Sequence, residues 1–162
     1  MSEMHNTTNE ARQQFITFLS DDQEYGANIM AIREIRGWTE TTPLPHAPAY
    51  VRGVINLRGV VLPVIDLKAR LGRELTATNP KHVIIVVDDG SRTFGVLVDA
   101  VSDILTARAA EIQQTPDLAR DAQSDFVEGI VVMEQRMVTL LSMKMLALSF
   151  AGPPAVPEAE AA

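Results

Sequence analysis

The titratable side chains of this 162-residue chain are poorly arranged for catalysis. Its three histidines are scattered: His5 lies in a polar stretch, His46 among prolines and His82 at the start of an apolar run. None forms the H-E-x-x-H pattern that puts two ligands on one helix face. Cysteine is absent, which excludes a disulfide framework and a thiolate zinc site. There is no G-x-S-x-G elbow, no phosphate-cradling P-loop and no G-x-G-x-x-G fingerprint. Asp21-Asp22 and Asp88-Asp89 could in principle serve acid–base work or Mg²⁺. Each pair directly follows an apolar run, however, where aspartates suit turns by hydrogen-bonding the local backbone. No catalytic residue, metal ligand or cofactor is therefore expected, and the chain reads as a binder.

The charges that stand out are few. Arg58 is a cation at the bend of an otherwise apolar stretch, and Glu34 is an acid that the second half of the chain repeats as Asp103. Met133, Met137, Met143 and Met145 cluster late in the chain, where gap-filling in a core is the ordinary use of methionine. A formal net charge of −7 without a basic stripe, together with only eight aromatic residues, argues against nucleic-acid binding. The same deficit argues against a helix lying on anionic lipid, and no apolar run approaches the ~18 residues of a membrane span. Met1 to Arg12 lacks the apolar core of a signal peptide, so a cytoplasmic location is expected.

The elements that must position these residues are mostly short strands. Phe15 to Leu19 and Val83 to Val87 read as strands closed by the acidic turns. Val54 to Leu57 and Val60 to Ile65 flank a bend at Asn56-Leu57-Arg58-Gly59, and Ile130 to Met133 and Met137 to Leu141 flank Glu134-Gln135-Arg136, giving two hairpins. Asp66 is placed to cap a helix over Leu67 to Leu71 that stops at Gly72. Further short helices are expected over Ala107 to Gln113 and from Thr115 towards Ala122. Residues 1–12 read as a flexible tail. Residues 151–162 read as a disordered one, with three prolines and two glutamates.

An internal repeat organises what lies between, over residues 13–150. At an offset of 69, Tyr25 falls on Phe94, Gly26 on Gly95, Ile32 on Val101, Glu34 on Asp103 and Ile35 on Ile104. At an offset of 76, Gly53 falls on Gly129, Val64-Ile65 on Leu140-Leu141, and Arg58 on Glu134. The pattern describes one β module used twice, over roughly 15–72 and 83–147. Sheets of such short strands curl into small barrels. Two barrels of that size are marginal alone, so they are expected to share a core or exchange strands.

The stretch Tyr50 to Gly72, YVRGVINLRGVVLPVIDLKARLG, resembles the most recognisable part of CheW-like domains. Glu24 to Glu40 is similar to the family's first hairpin and helix, Phe94 to Leu105 to its second, and Phe126 to Leu146 to its closing hairpin. The resemblance implies a mainly β fold of two intertwined SH3-like five-stranded barrels with a few short helices. It implies a non-catalytic adaptor that couples the cytoplasmic tip of methyl-accepting chemoreceptors to the regulatory domain of the histidine kinase CheA. It also implies a receptor groove at Ile32, Glu34, Arg58, Gly95, Val101 and Ile104, with Glu34 and Arg58 as an acid–base pair. The kinase contact is not assigned to residues. The acid that the family carries near Ser142 is missing, which is expected to alter only a local cap. CheV and CheA share the domain but need room for a receiver or an ATP site, and the ends of this chain read as termini. A scaffold of a non-motility chemosensory system is the alternative, and a small-barrel enzyme of unknown type the remote one.

Overall fold

The computed structural model describes residues 12–114 and 126–151. Among the described residues, eleven strands run in the order β1 (Arg12–Ser20), β2 (Gln23–Asn28), β3 (Ile32–Gly37), β4 (Val51–Leu57), β5 (Val60–Asp66), β6 (Val83–Asp88), β7 (Thr93–Val98), β8 (Ala100–Arg108), β9 (Ile112–Gln113), β10 (Val127–Met133) and β11 (Arg136–Leu141). Two α-helices among them, α1 (Leu67–Arg70) and α2 (Met143–Ala151), close the two copies of the module. The strands form a six-stranded sheet, β8-β1-β2-β11-β10-β9, and a five-stranded sheet, β3-β6-β7-β5-β4. No helix among the described residues is long and apolar enough to cross a membrane.

Each sheet draws strands from both copies. The first hairpin of copy one, β1–β2, joins the closing hairpin of copy two through the parallel pair β2–β11. The first hairpin of copy two, β6–β7, joins the closing hairpin of copy one through the parallel pair β7–β5. The registers repeat with the sequence offsets: Phe15↔Asn28 becomes Ile84↔Leu97, Gly53↔Val64 becomes Gly129↔Leu140, and Gly26↔Leu140 corresponds to Gly95↔Val64. Even the bulges correspond, at Ile16/Phe18 in β1–β8 and at Ile32/Glu34 in β3–β6.

Three apolar clusters follow from this arrangement. Phe15, Leu105, Ala107, Val131, Val138 and Leu140 fill one sheet's own core, and Ile55, Leu57, Leu62, Val64, Ile84, Val86 and Leu97 fill the other's. The third cluster is shared: Phe18, Ala27 and Leu141 of the six-stranded sheet meet Ile65, Ile85, Val87, Phe94, Val96 and Val98 of the five-stranded one, with Phe126, Met143 and Leu146. The unbroken apolar run Val83 to Val87 is thereby explained. Ile84 and Val86 face their own core while Ile85 and Val87 face the shared one, so the strand is buried on both sides. Arg70 adds a polar link, its guanidinium 4.8 Å from the Tyr50 ring and 4.9 Å from that of Phe126, two repeat-equivalent aromatics.

Local signals behave as their chemistry directs. Asp66 caps α1, accepting from the Ala69 amide at 3.3 Å, and Ser142 does the same for α2 through the Met145 amide at 3.1 Å. Asp21 and Asp22 both take positive φ (54° and 67°) in the tight β1–β2 turn. Asp88 and Asp89 accept from the amides of Gly90, Ser91 and Arg92. Gly53, at φ 139°, lets the Thr42 carbonyl oxygen come within 2.3 Å of where a Cβ would stand, so that Thr42 can bridge Val54.

Three expectations are corrected. The segment Ala107 to Gln113 is not a helix: β8 runs on to Arg108 by pairing with β1, a 3₁₀ turn covers Ala109–Glu111, and β9 adds a sixth strand to its sheet. Ladder bonds and the burial of Ala107 outweigh the local helix propensity of alanine. Arg12, assigned to a tail, begins β1 opposite Arg108, and Ala151 ends α2. The helix expected from Thr115, and the rest of both tails, lie outside the described residues.

Candidate functional site

Glu34 sits on β3, an edge strand whose charged residues discourage further pairing. Arg58 sits at the tip of the β4–β5 hairpin at φ 53°, followed by Gly59 at φ 88°, the geometry of a two-residue turn. The tip brings Arg58 Nη2 to 2.5 Å from Glu34 Oε1, while Arg36 Nη1 donates to Glu34 Oε2 at 3.1 Å. Those bonds, from Arg58 first and Arg36 second, hold the Glu34 carboxyl below the ordinary carboxylate range. The reciprocal bond raises the Arg58 guanidinium.

The pair rims a mouth of about 380 Å³ floored by Leu57, Val60, Leu62 and Val86 and flanked by Arg33 and Thr93. Gly95 belongs to the same cross-strand row, through Val86 and Val64. A Cβ there would lie 2.7 Å from Ile84 Cγ2, so glycine keeps the floor flat. Ile32 lines a second, larger cleft of about 570 Å³ beyond Arg33, with Met30, Asp88, Glu128, Met143 and Lys144. Desolvation raises the Glu128 carboxyl in that cleft. Arg33 stands between the two hollows, its Nη2 bonded to Asp88 at 2.6 Å. Val101 and Ile104 lie elsewhere, on β8 in the other sheet. Val101 packs on the shared core from its edge as Ile32 does from the opposite one, and Ile104 is 54% exposed opposite Ile16.

The repeat-related position of the six-stranded sheet carries an ionic cluster. Arg136, at the position of Val60, bonds Glu24 (Oε2, 2.6 Å) and Asp103 (Oδ1, 2.8 Å), and the Thr17 hydroxyl donates to Asp103 at 2.7 Å. Glu24, Asp103 and Thr17 are the repeat equivalents of Thr93, Glu34 and Val86. The bond from Arg136 lowers the Glu24 carboxyl, and Thr17 together with Arg136 lowers that of Asp103. One mouth is thus a hollow with an apolar floor and a charged rim, whereas at the counterpart position Arg136 bridges two acids.

Sequence reasoning missed Arg36, Arg33 and Arg136. Arg36 was detectable, since residues two apart on a strand share a face. Arg136 was not, because its partner Glu24 is 112 residues away.

The comparisons settle the kinship. The model of the CheW-like domain matches residues 14–149. The chain belongs to the CheW-like domain family. It is 54% identical over 136 residues to the chemotaxis protein CheW of Rhizobium meliloti, covering 84% of this chain and 87% of that one. It is 47% identical over 146 residues to a probable chemotaxis protein CheW of Rhizobium etli, covering 90% and 94%. Among solved structures, the scaffolding protein TtCheW from Thermoanaerobacter tengcongensis matches with a TM-score of 0.73 at 29% identity, covering 80% of this chain and 88% of that one. The pairing of both sheets across the two copies is thus the frame of a family fold.

Proposed function

We propose that this chain is a non-catalytic chemotaxis adaptor that holds the histidine kinase CheA against the cytoplasmic tips of chemoreceptors, so that receptor state controls autophosphorylation. The family match along residues 14–149 is the observation that carries the reading. The open mouth with the Glu34–Arg58 rim supports a protein-binding role. A receptor helix can lay apolar residues over Val60, Leu62 and Val86 while rim charges set its register. Glu34, Arg58 and Gly95 form this contact, Ile32 extends it into the adjoining cleft, and Val101 and Ile104 contribute from the edge of the second sheet. The adaptor acts in the cytoplasm, joined to receptor arrays through its partners.

The test is autophosphorylation of a cognate CheA with receptor signalling fragments, with and without this protein. Stimulation that requires all three components is the expected result. Absence of stimulation, with the protein folded and the kinase active, sinks the coupling role. In the same assay Arg58→Glu sets like charge beside Glu34 and lowers receptor affinity by about tenfold or more. Circular dichroism stays unchanged, because Arg58 is 69% exposed at a turn. Full coupling by a folded Arg58→Glu variant removes the pair from the receptor contact.

A further inference from the structure

Glu34 is shared by two guanidiniums that reach it by different routes. Arg36 comes from β3 itself, two residues along and on the same face, opposite the fully buried Ile84. Arg58 comes from a turn, with 69% of its side chain exposed against 36% for Arg36. Each takes a separate carboxylate oxygen.

We infer that Arg36 is the positioning residue of this cluster: it holds Glu34 from within β3 and leaves Arg58 as the member that a partner's carboxylate can draw away. The inference rests on the reading of this mouth as the receptor contact. A lone ion pair resists such an exchange, because the abandoned carboxylate loses its only cation as the incoming partner strips water from the rim. The second arginine removes that penalty, since Glu34 stays paired when Arg58 moves. Charge points the same way. Arg33 is bonded to Asp88, and Arg36 and Arg58 together face the carboxylate of Glu34, so among the described residues the mouth carries one positive charge in excess. A carboxylate is the group that balances it. The repeat-related mouth reverses this pattern: Arg136 stands alone between Glu24 and Asp103, and the position equivalent to Arg36 is the buried Leu105.

The test is NMR titration of the Glu34 side-chain carboxyl in the full chain without partners, for the native protein, Arg58→Gln, Arg36→Gln, Arg36→Lys and the double variant Arg36→Gln/Arg58→Gln. Loss of Arg58 raises the Glu34 titration only part of the way, loss of both arginines brings it to the ordinary carboxylate range, and Arg36→Lys restores much of the lowering. Return to the ordinary range in Arg58→Gln alone overturns the inference, and that variant alters only an exposed turn, so folding does not cloud it. No response to Arg36→Gln, or a response to Arg36→Lys as large as that to Arg36→Gln, also overturns it. Because the readout needs no receptor, it is independent of the coupling assay: failure of coupling with a retained Glu34 response refutes the receptor reading and leaves the anchor standing.

Discussion

Arg136 occupies, in the six-stranded sheet, the place that Val60 has in the five-stranded one, and the exchange changes what that end of the module can do. Its guanidinium joins β11 to Glu24 on β2 and to Asp103 on β8, with Thr17 of β1 bonded to the same aspartate. Glu24 is the more buried acid of the pair, at 15% side-chain exposure against 55% for Asp103. Removing Arg136 therefore leaves one carboxylate largely shielded from water without its cation. Arg136→Met is expected to destabilise the protein by about 1–2 kcal/mol at pH 7, moderated by the solvent that reaches the guanidinium. The pH dependence has a definite sign. Glu24 and Asp103 are lowered in the folded state, so their contribution is present above the ordinary carboxylate range and lost as pH falls through the lowered values. Urea midpoints of native protein and variant should thus differ most near neutrality and converge on acidification. A gap that stays constant down to pH 3 would show that Arg136 acts through its alkyl packing instead of its charge.

Elements set how far those residues could be foreseen. The strands, the capped helix after Asp66 and the repeat were legible because their signals are local: apolar runs, turn residues, and a constant offset between like residues. Which hairpin pairs with which was not legible, since β2–β11 and β7–β5 are parallel contacts between distant segments that no nearby residue dictates. The stretch Ala107 to Gln113 failed for the same reason, because its partners on β1 and β10 decide its conformation. Of the candidate site, Arg58 was visible as a charge out of place and, with Glu34, through resemblance; Arg36 was detectable as a neighbour of Glu34 on one strand face, whereas Arg136 gains meaning only once strands are aligned. Gly95 is the element-scale case that can be measured. It lies between Val86 and Val64 in the centre of the five-stranded sheet, with Ile84 Cγ2 2.7 Å from the point where an alanine methyl would stand. Gly95→Ala is expected to cost about 1–3 kcal/mol by overpacking, and because Ile84→Ala removes the crowding Cγ2 methyl, the double variant should lose less than the sum of the two single losses. Additive losses in the double variant would mean that the crowding lies elsewhere than at Ile84.

For the molecule as a whole, neither copy of the module owns a complete sheet. Residues of copy one supply β1, β2, β3, β4 and β5, yet β1 and β2 lie with β10 and β11, while β3, β4 and β5 lie with β6 and β7. The shared cluster needs Phe18 and Ile65 from one copy and Ile85, Phe94 and Leu141 from the other. A half-chain would expose those side chains and strand edges together, and each large apolar side chain returned to water costs ~1.5–3 kcal/mol. Such losses quickly exceed the roughly 5–15 kcal/mol typical of a whole domain. Of fragments divided in the loop between α1 and β6, for instance 1–77 and 78–162, the first carries Trp38 and both tyrosines and should lack the near-ultraviolet dichroism of those side chains in a fixed environment. Mixed, they should form a 1:1 complex with the native spectrum, because the loop carries no pairing that both sheets require. The intact chain should unfold in one transition, with far-ultraviolet dichroism and Trp38 fluorescence superimposing, although Trp38 packs on the core of the five-stranded sheet. A first fragment that folds alone, or two separated transitions, would mean that each half carries its own stability and that the exchange of hairpins joins two domains already formed.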